Sequence, residues 1–376
     1  MSLWLAGGYG PDMDGNGTGI CVLRSREDGT LENLGVAVEA ESPSYLVARG
    51  DHVYAVAEGA GRVHSYRRDG ARIVEDGSGL FGQGSGLVGD ASGPAKDGFA
   101  LVEDGSASSG GVWPCHLSLL DSALVVANYN DGPLGVVSLR EDGSVDKLVQ
   151  SLPGTGSGPR EEQQGPHAHA SLRVDAALMN DELVDDVQVD AERVDAAALV
   201  SLDLGSDDLH VHRADGPRLT RTGSSTLPAG SGPRDIARHP SGLFFVLGEL
   251  SNEMFVLEWT GERLELVASV AVPGAQPGDH GSGISFGPGG FVYAGIRGSG
   301  RIGVLRASAD ARQLEAIGSV SSEGDWPRHH AIDGDLLHVT NQQSNSIATF
   351  LLGADGMPAL VGHTELPSPS FLLWIE

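Results

Sequence analysis

"SPSFLLWIE", residues 368–376, echoes "SPSYLVARG" at 42–50, and this echo decides the fold. Each copy reads as a Ser-Pro-Ser turn running into a short apolar strand. The copy at 42 leads into a hairpin, whereas the copy at 368 has no hairpin after it. Conversely, "WLAGGYGPDMDGNGTGICVLR" from residue 4 is a hairpin with no inner strand before it. A strand from one end of the chain is therefore expected to complete the sheet begun at the other, closing a ring without free edges.

Working outward, six further segments share one pattern: "VYAVAEGAGRVHSY" from 53, "LVVANYNDGPLGVVSL" from 124, "LVSLDLGSDDLHVHR" from 199, "FFVLGELSNEMFVLE" from 244, "VYAGIRGSGRIGVLR" from 292 and "LHVTNQQSNSIATFL" from 337. Each is an apolar strand closed by a polar residue, a small-residue turn and a second strand. The closing residues are Glu58, Asn128, Asp203, Glu249, Arg297 and Asn341, and the last four are separated by 46, 48 and 44 residues. That period suits four-stranded propeller blades. With the split copy, the expectation is an all-β, seven-bladed propeller spanning 1–376 as one domain. Longer steps of 70 and 75 residues, from 58 to 128 and from 128 to 203, imply surface insertions at about 74–110 and 173–197.

Ahead of each hairpin stands a shorter signature: "SPSYLVA", "WPCHLSL", "GPHAHASL", "GPRDIARHP", "GSGISFGP", "WPRHHAID" and the terminal "SPSFLLW". The innermost strand of a blade lines the central channel, so polar residues in these seven pieces are expected to meet on one axis. In "GPHAHA", His167 and His169 would share a face if the piece is one regular strand.

Composition narrows the function classes. A formal net charge of −27, with Lys96 and Lys147 the only lysines, leaves no basic stripe for nucleic acid. Cys21 and Cys115 form neither a disulfide framework nor a metal motif, and each reads as a small buried residue. No apolar run reaches the length of a membrane span, and "MSLWLAGGYG" lacks a basic leader region, so a cytoplasmic protein without membrane partners is expected. Oligomeric state is not encoded in any visible pattern.

Several pieces in order, "PCHLSL" then "VVANYN", "GPHAHA", "GSGPRDIARHPSG" then "GELS", "IRGSGRIGV", "WPRHHAI" then "TNQQSNSIATF", and "PSPSF", make the chain resemble the lactonase family of seven-bladed propellers. That family includes one type of 6-phosphogluconolactonase and the fungal carboxymuconate cyclase. The resemblance implies a catalytic cluster at His169, Glu249, Arg234 and Arg297. Two guanidiniums suit a carboxylate or phosphate and a developing oxyanion, while His169 or Glu249 would move the proton. Arg328 occupies the repeat position of Arg234. Arg328, His167, His330 and Gln342 are candidate substrate contacts, His167 with the more indirect role.

The expected reaction is hydrolysis of a sugar lactone, foremost 6-phosphogluconolactone, without cofactor or metal, and the expected partner is a small anionic lactone or carboxylate. A 3-carboxy-cis,cis-muconate cycloisomerase and a non-catalytic binding propeller are the alternatives. Glu249 could instead cap a turn, and Glu58, Asn128, Asp203 and Asn341 are expected to tie blades together through backbone hydrogen bonds. A metal site on the His167/His169 pair, with His116, His239, His329 or His330, is disfavoured by the arginines at equivalent repeat positions. The "GSG" triplets lack the strand-turn-helix setting of a nucleophilic serine. Two departures from the family pattern, "IRGS" for an Asn-Arg-Gly turn and "GEL" for Asn-Glu-Leu, bear on how Arg297 and Glu249 are held.

Overall fold

Apolar runs such as "ALVVAN" and "HVYAVA" do not alternate, because both faces of each sheet are buried. In strand His52–Ala57, Val53 and Ala55 point into one apolar cluster and Tyr54 and Val56 into another. The computed structural model, which describes residues 2–69, 99–174 and 198–375, shows how that pattern is satisfied. Seven four-stranded antiparallel sheets stand around an axis, with one apolar cluster between each neighbouring pair. Each fully buried Val or Leu in these clusters contributes about 1.5–3 kcal/mol, so the ring is held by its inter-blade faces.

The blades are numbered from the chain start. Blade 1 is built, from the axis outward, from Pro369–Trp374, Leu3–Gly8, Gly19–Ser25 and Leu31–Glu39. The closing strand pairs antiparallel with the first, Trp4 opposite Trp374 and Leu5 opposite Leu373. The innermost strands of blades 2 to 7 are Leu46–Arg49, Pro114–Leu119, Ala168–Val174, Pro233–Arg238, His280–Phe286 and Pro327–Asp333. All seven coincide with the short signatures of the sequence. The ring closure and the blade count are as the terminal echo implies.

One insertion boundary needs correction. Residues 74–110 are not all loop, because Ala100–Ser108 is the outermost strand of blade 2, paired with Arg62–Asp69. Only Leu101 and Ala107 of that strand are buried, so an outer strand rich in Gly, Ser and acidic residues carries almost no hydrophobic signal. The remainder of that insertion, 74–98, and residues 175–197 of the second lie outside the described residues.

Candidate functional site

Six of the seven innermost strands, all but that of blade 2, begin with an irregularity that aims a residue at the axis. In blade 3, Pro114 pairs with Asn128 and His116 with Ala127, leaving Cys115 as an extra residue in the ladder. His169, Arg234 and Arg328 are extra in the same way in blades 4, 5 and 7, as is Ser370 in the closing strand. In blade 6 the shift between Gly281 and Ile284 frees Ser282. A bulge bends its strand and re-aims a side chain. Here these residues, with Ser44 of blade 2, all line one small space of about 50 Å³ on the axis. Four of them, Cys115, His169, Arg234 and Arg328, also form the floor of a larger cavity of about 260 Å³.

The walls of the larger cavity come from the turns after the second strands and before the first. Glu58, Glu249 and Arg297 close second strands; Tyr9, Trp113, Tyr129, Trp326 and Gln342 complete the lining, with Met13. Trp113 and Trp326 both precede a proline and adopt left-handed backbone, φ 57° and 62°. Such conformations are uncommon outside glycine and concentrate where side chains are held for function.

Glu249 organises the arginines. Its Oε2 lies 2.7 Å from Arg234 Nε and 2.6 Å from Arg297 Nη2, and its Oε1 lies 3.4 Å from His280 Nδ1. Arg234 Nη1 also donates to Ser282 O at 2.5 Å and Arg297 Nη2 to Gly281 O at 2.9 Å. Arg297 stacks over the Trp326 ring at 5.5 Å. Burial pushes the Glu249 carboxyl up, but Arg297, then His280 and Arg234, outweigh it, and the pKa falls well below the usual carboxylate range. Burial draws Arg297 down to about 9, against the pull of Glu249, so its charge persists at neutral pH. Among the described residues, Arg234 Nη2 and Arg297 Nη1 make no hydrogen bond to the protein.

His169 is half-buried, its buried Nδ1 has no hydrogen-bond partner in the protein, and its ring meets Tyr129 edge-on at 5.7 Å. Burial, then Arg234, pushes its pKa well below the usual imidazole value, so the ring is neutral. On the opposite side, Arg328 donates to the Tyr9 hydroxyl and lies over its ring at 4.9 Å. Ser44 donates to Glu58 Oε2, and Tyr9 and Glu58 line the same cavity.

The structure thus brings His169, Arg234, Glu249, Arg297, Arg328 and Gln342 together in one cavity. Two expected substrate contacts do not line it. His167 precedes the strand that starts at Ala168; its Nδ1 is taken by Tyr129 O at 2.7 Å and its ring stacks on Tyr129 at 4.9 Å. It therefore props Tyr129, and the regular alternation expected of "HAH" is broken by the bulge at His169. His330 is buried between blades 6 and 7, where Ser285 Oγ and Gly283 O occupy its two nitrogens. Its neighbour His329 faces the axis instead.

Backbone ties hold for Asn128, Asp203 and Asn341, as expected. Glu58 departs from that expectation, since its carboxylate turns to the cavity. Cys115 is more than a small core residue, because it lines both spaces. The repeat itself carried the missing signal: Glu58 aligns with Glu249, Cys115 with Arg234, and Trp113 with Trp326.

The chain matches the family "Lactonase, 7-bladed beta-propeller" over residues 4–79, 93–180 and 190–374. It is 32% identical to a 6-phosphogluconolactonase of Bacillus subtilis over 247 residues, a stretch covering 63% of this chain and 65% of that protein. The periplasmic gluconolactonase of Pseudomonas aeruginosa superposes with a TM-score of 0.80 at 24% identity, covering 100% of this chain and 99% of that one. A Lactobacillus plantarum protein superposes with a TM-score of 0.79 at 22% identity, covering 100% and 99%. Among the described residues no helix is long and apolar enough to cross a membrane. On this match, and on the ring and axial cavity, the chain belongs to the lactonase family of seven-bladed β-propellers.

Proposed function

We propose that the axial cavity hydrolyses a sugar lactone carrying negative charge, foremost 6-phosphogluconolactone. The observation that carries this reading is the pair of buried guanidiniums, Arg234 and Arg297, fixed by one carboxylate with an N–H face of each left uncommitted. Hydrolysis of a lactone builds negative charge on the carbonyl oxygen as water adds. Donors held in place beforehand stabilise that charge without reorganising, an effect worth about 2.7–4 kcal/mol per donor in comparable oxyanion sites. Arg328, on the same floor, provides a third cation toward a phosphate or carboxylate. The neutral His169 orients water or the lactone by hydrogen bonding rather than by charge.

Glu249 serves this chemistry as a clamp. Its oxygens are occupied by Arg297, Arg234 and His280, and a carboxylate so held resists protonation. The relative from Bacillus subtilis carries the name 6-phosphogluconolactonase, which supports the choice of substrate class.

The test is the rate of 6-phosphogluconolactone hydrolysis above its spontaneous background. Wild-type protein accelerates it, and Arg297→Ala reduces kcat about 10²–10³-fold. A folded wild-type protein giving no acceleration would reject this substrate.

A further inference from the structure

Two carboxylates face the cavity, and the arginine clamp accounts for only one. Glu58 sits at the position in its blade that Glu249 and Arg297 hold in theirs, is 6% exposed, and lines the same space. Its surroundings differ in kind. Glu249 is locked between two guanidiniums. Glu58 makes no ion pair among the described residues: Ser44 donates to its Oε2, and the Tyr9 hydroxyl, which accepts from Arg328, belongs to a ring lining the same cavity. The charged and titratable groups that face it are Arg328, Tyr9, Arg234 and Cys115.

A carboxylate bound by a hydroxyl stays basic, whereas one bound by two fixed cations does not. We propose that Glu58 is the catalytic proton acceptor of the cavity, an inference that rests on the lactone-hydrolysis reading. Water attacks the lactone carbonyl carbon and its proton passes to the Glu58 carboxylate, while Arg234 and Arg297 face the oxyanion. As the tetrahedral intermediate collapses, the bond from the carbonyl carbon to the ring oxygen breaks. The proton then moves from Glu58 to that oxygen, leaving a hydroxy acid and an ionised Glu58. One water is consumed and no other reactant is needed. Ser44 and Tyr9 are positioning residues, Ser44 holding the Glu58 carboxylate and Tyr9 holding Arg328, rather than the reacting atoms. Burial raises the Glu58 pKa against Arg328, Ser44 and Tyr9, which is the direction that suits proton transfer near neutral pH.

The experiment is the pH profile of kcat on 6-phosphogluconolactone for wild type, Glu58→Gln and Ser44→Ala, with 6-phosphogluconate binding followed by calorimetry. Glu58→Gln is expected to lower kcat about 10²–10⁴-fold, lose the acid limb of the profile, and bind 6-phosphogluconate within about threefold of wild type. Ser44→Ala removes a hydrogen bond that favours the ionised carboxylate, so the acid limb moves to higher pH. That shift decides the matter even where the Gln variant does not fold. A Glu58→Gln protein with kcat near wild type, or a Ser44→Ala limb that stays in place, overturns the inference alone. A wild type without lactonase activity overturns the lactone reading, and the inference with it.

Discussion

Glu58 and Glu249 occupy equivalent positions in their blades, yet their environments push them in opposite directions, and stability should report it. Burial raises Glu249, but Arg297, His280 and Arg234 more than reverse it. Its lowered folded pKa contributes stability above the unfolded value of about 4.3, lost as pH falls through the folded pKa. Glu58 is raised, with burial the leading cause. Its contribution is present below the unfolded value and is lost as pH rises through the folded pKa. At pH 8, Glu249→Gln is expected to lose about 3–5 kcal/mol, because two buried guanidiniums lose their partner. At the same pH Glu58→Gln should unfold no lower than wild type, and any gain should shrink toward pH 5. Thermal unfolding of both variants at the two pH values checks the signs, and a strongly destabilised Glu58→Gln at pH 8 would contradict them. At this scale the sequence was partly legible. His169, Arg234, Glu249 and Arg297 were readable through the resemblance to the lactonase family, and Arg328 because it shares the repeat position of Arg234. Tyr9 was not, because it follows the first strand of the split blade, where no repeat marks it.

The element that closes the ring is Pro369–Trp374. It fills the axis side of Leu3–Gly8, carries Phe371 against Tyr45 and His329 at ring separations of 4.2 and 4.1 Å, and buries Leu372 against blade 7. Ser370 on this strand also donates to Ser44 O at 2.9 Å, so closure positions the serine that holds Glu58. Removing residues 368–376 would expose the hydrogen-bonding edge of Leu3–Gly8 and open the core between blades 1 and 2. The expected result is aggregation or oligomers by size-exclusion chromatography and loss of 6-phosphogluconate binding. A monomeric truncation that still binds would show that closure is dispensable. Inner and second strands were legible from apolar runs because both faces are buried. Outer strands such as Ala100–Ser108 were not, since solvent takes one face and only Leu101 and Ala107 of this strand are buried. The bulges were also hidden, for an extra residue in a ladder leaves no mark on hydrophobic period.

At the scale of the whole molecule two fields oppose each other. The chain carries a formal net charge of −27, while the cavity gathers Arg234, Arg297 and Arg328 against Glu58 and Glu249. An anionic lactone therefore meets repulsion at long range and attraction only near the axis. The Debye length is about 30 Å at 0.01 M salt and about 8 Å at 0.15 M. At low salt the acidic exterior acts over the width of the ring, and at 0.15 M only the local arginines are felt. Raising salt between these values should raise kcat/KM for 6-phosphogluconolactone about threefold or more, while leaving an uncharged gluconolactone unchanged. Measuring both substrates across that range separates screening of the exterior from any effect of salt on the fold. A fall in kcat/KM for the charged lactone would mean that the arginine cluster governs approach from the outset. A parallel rise for both lactones would trace the effect to the protein and remove the electrostatic account.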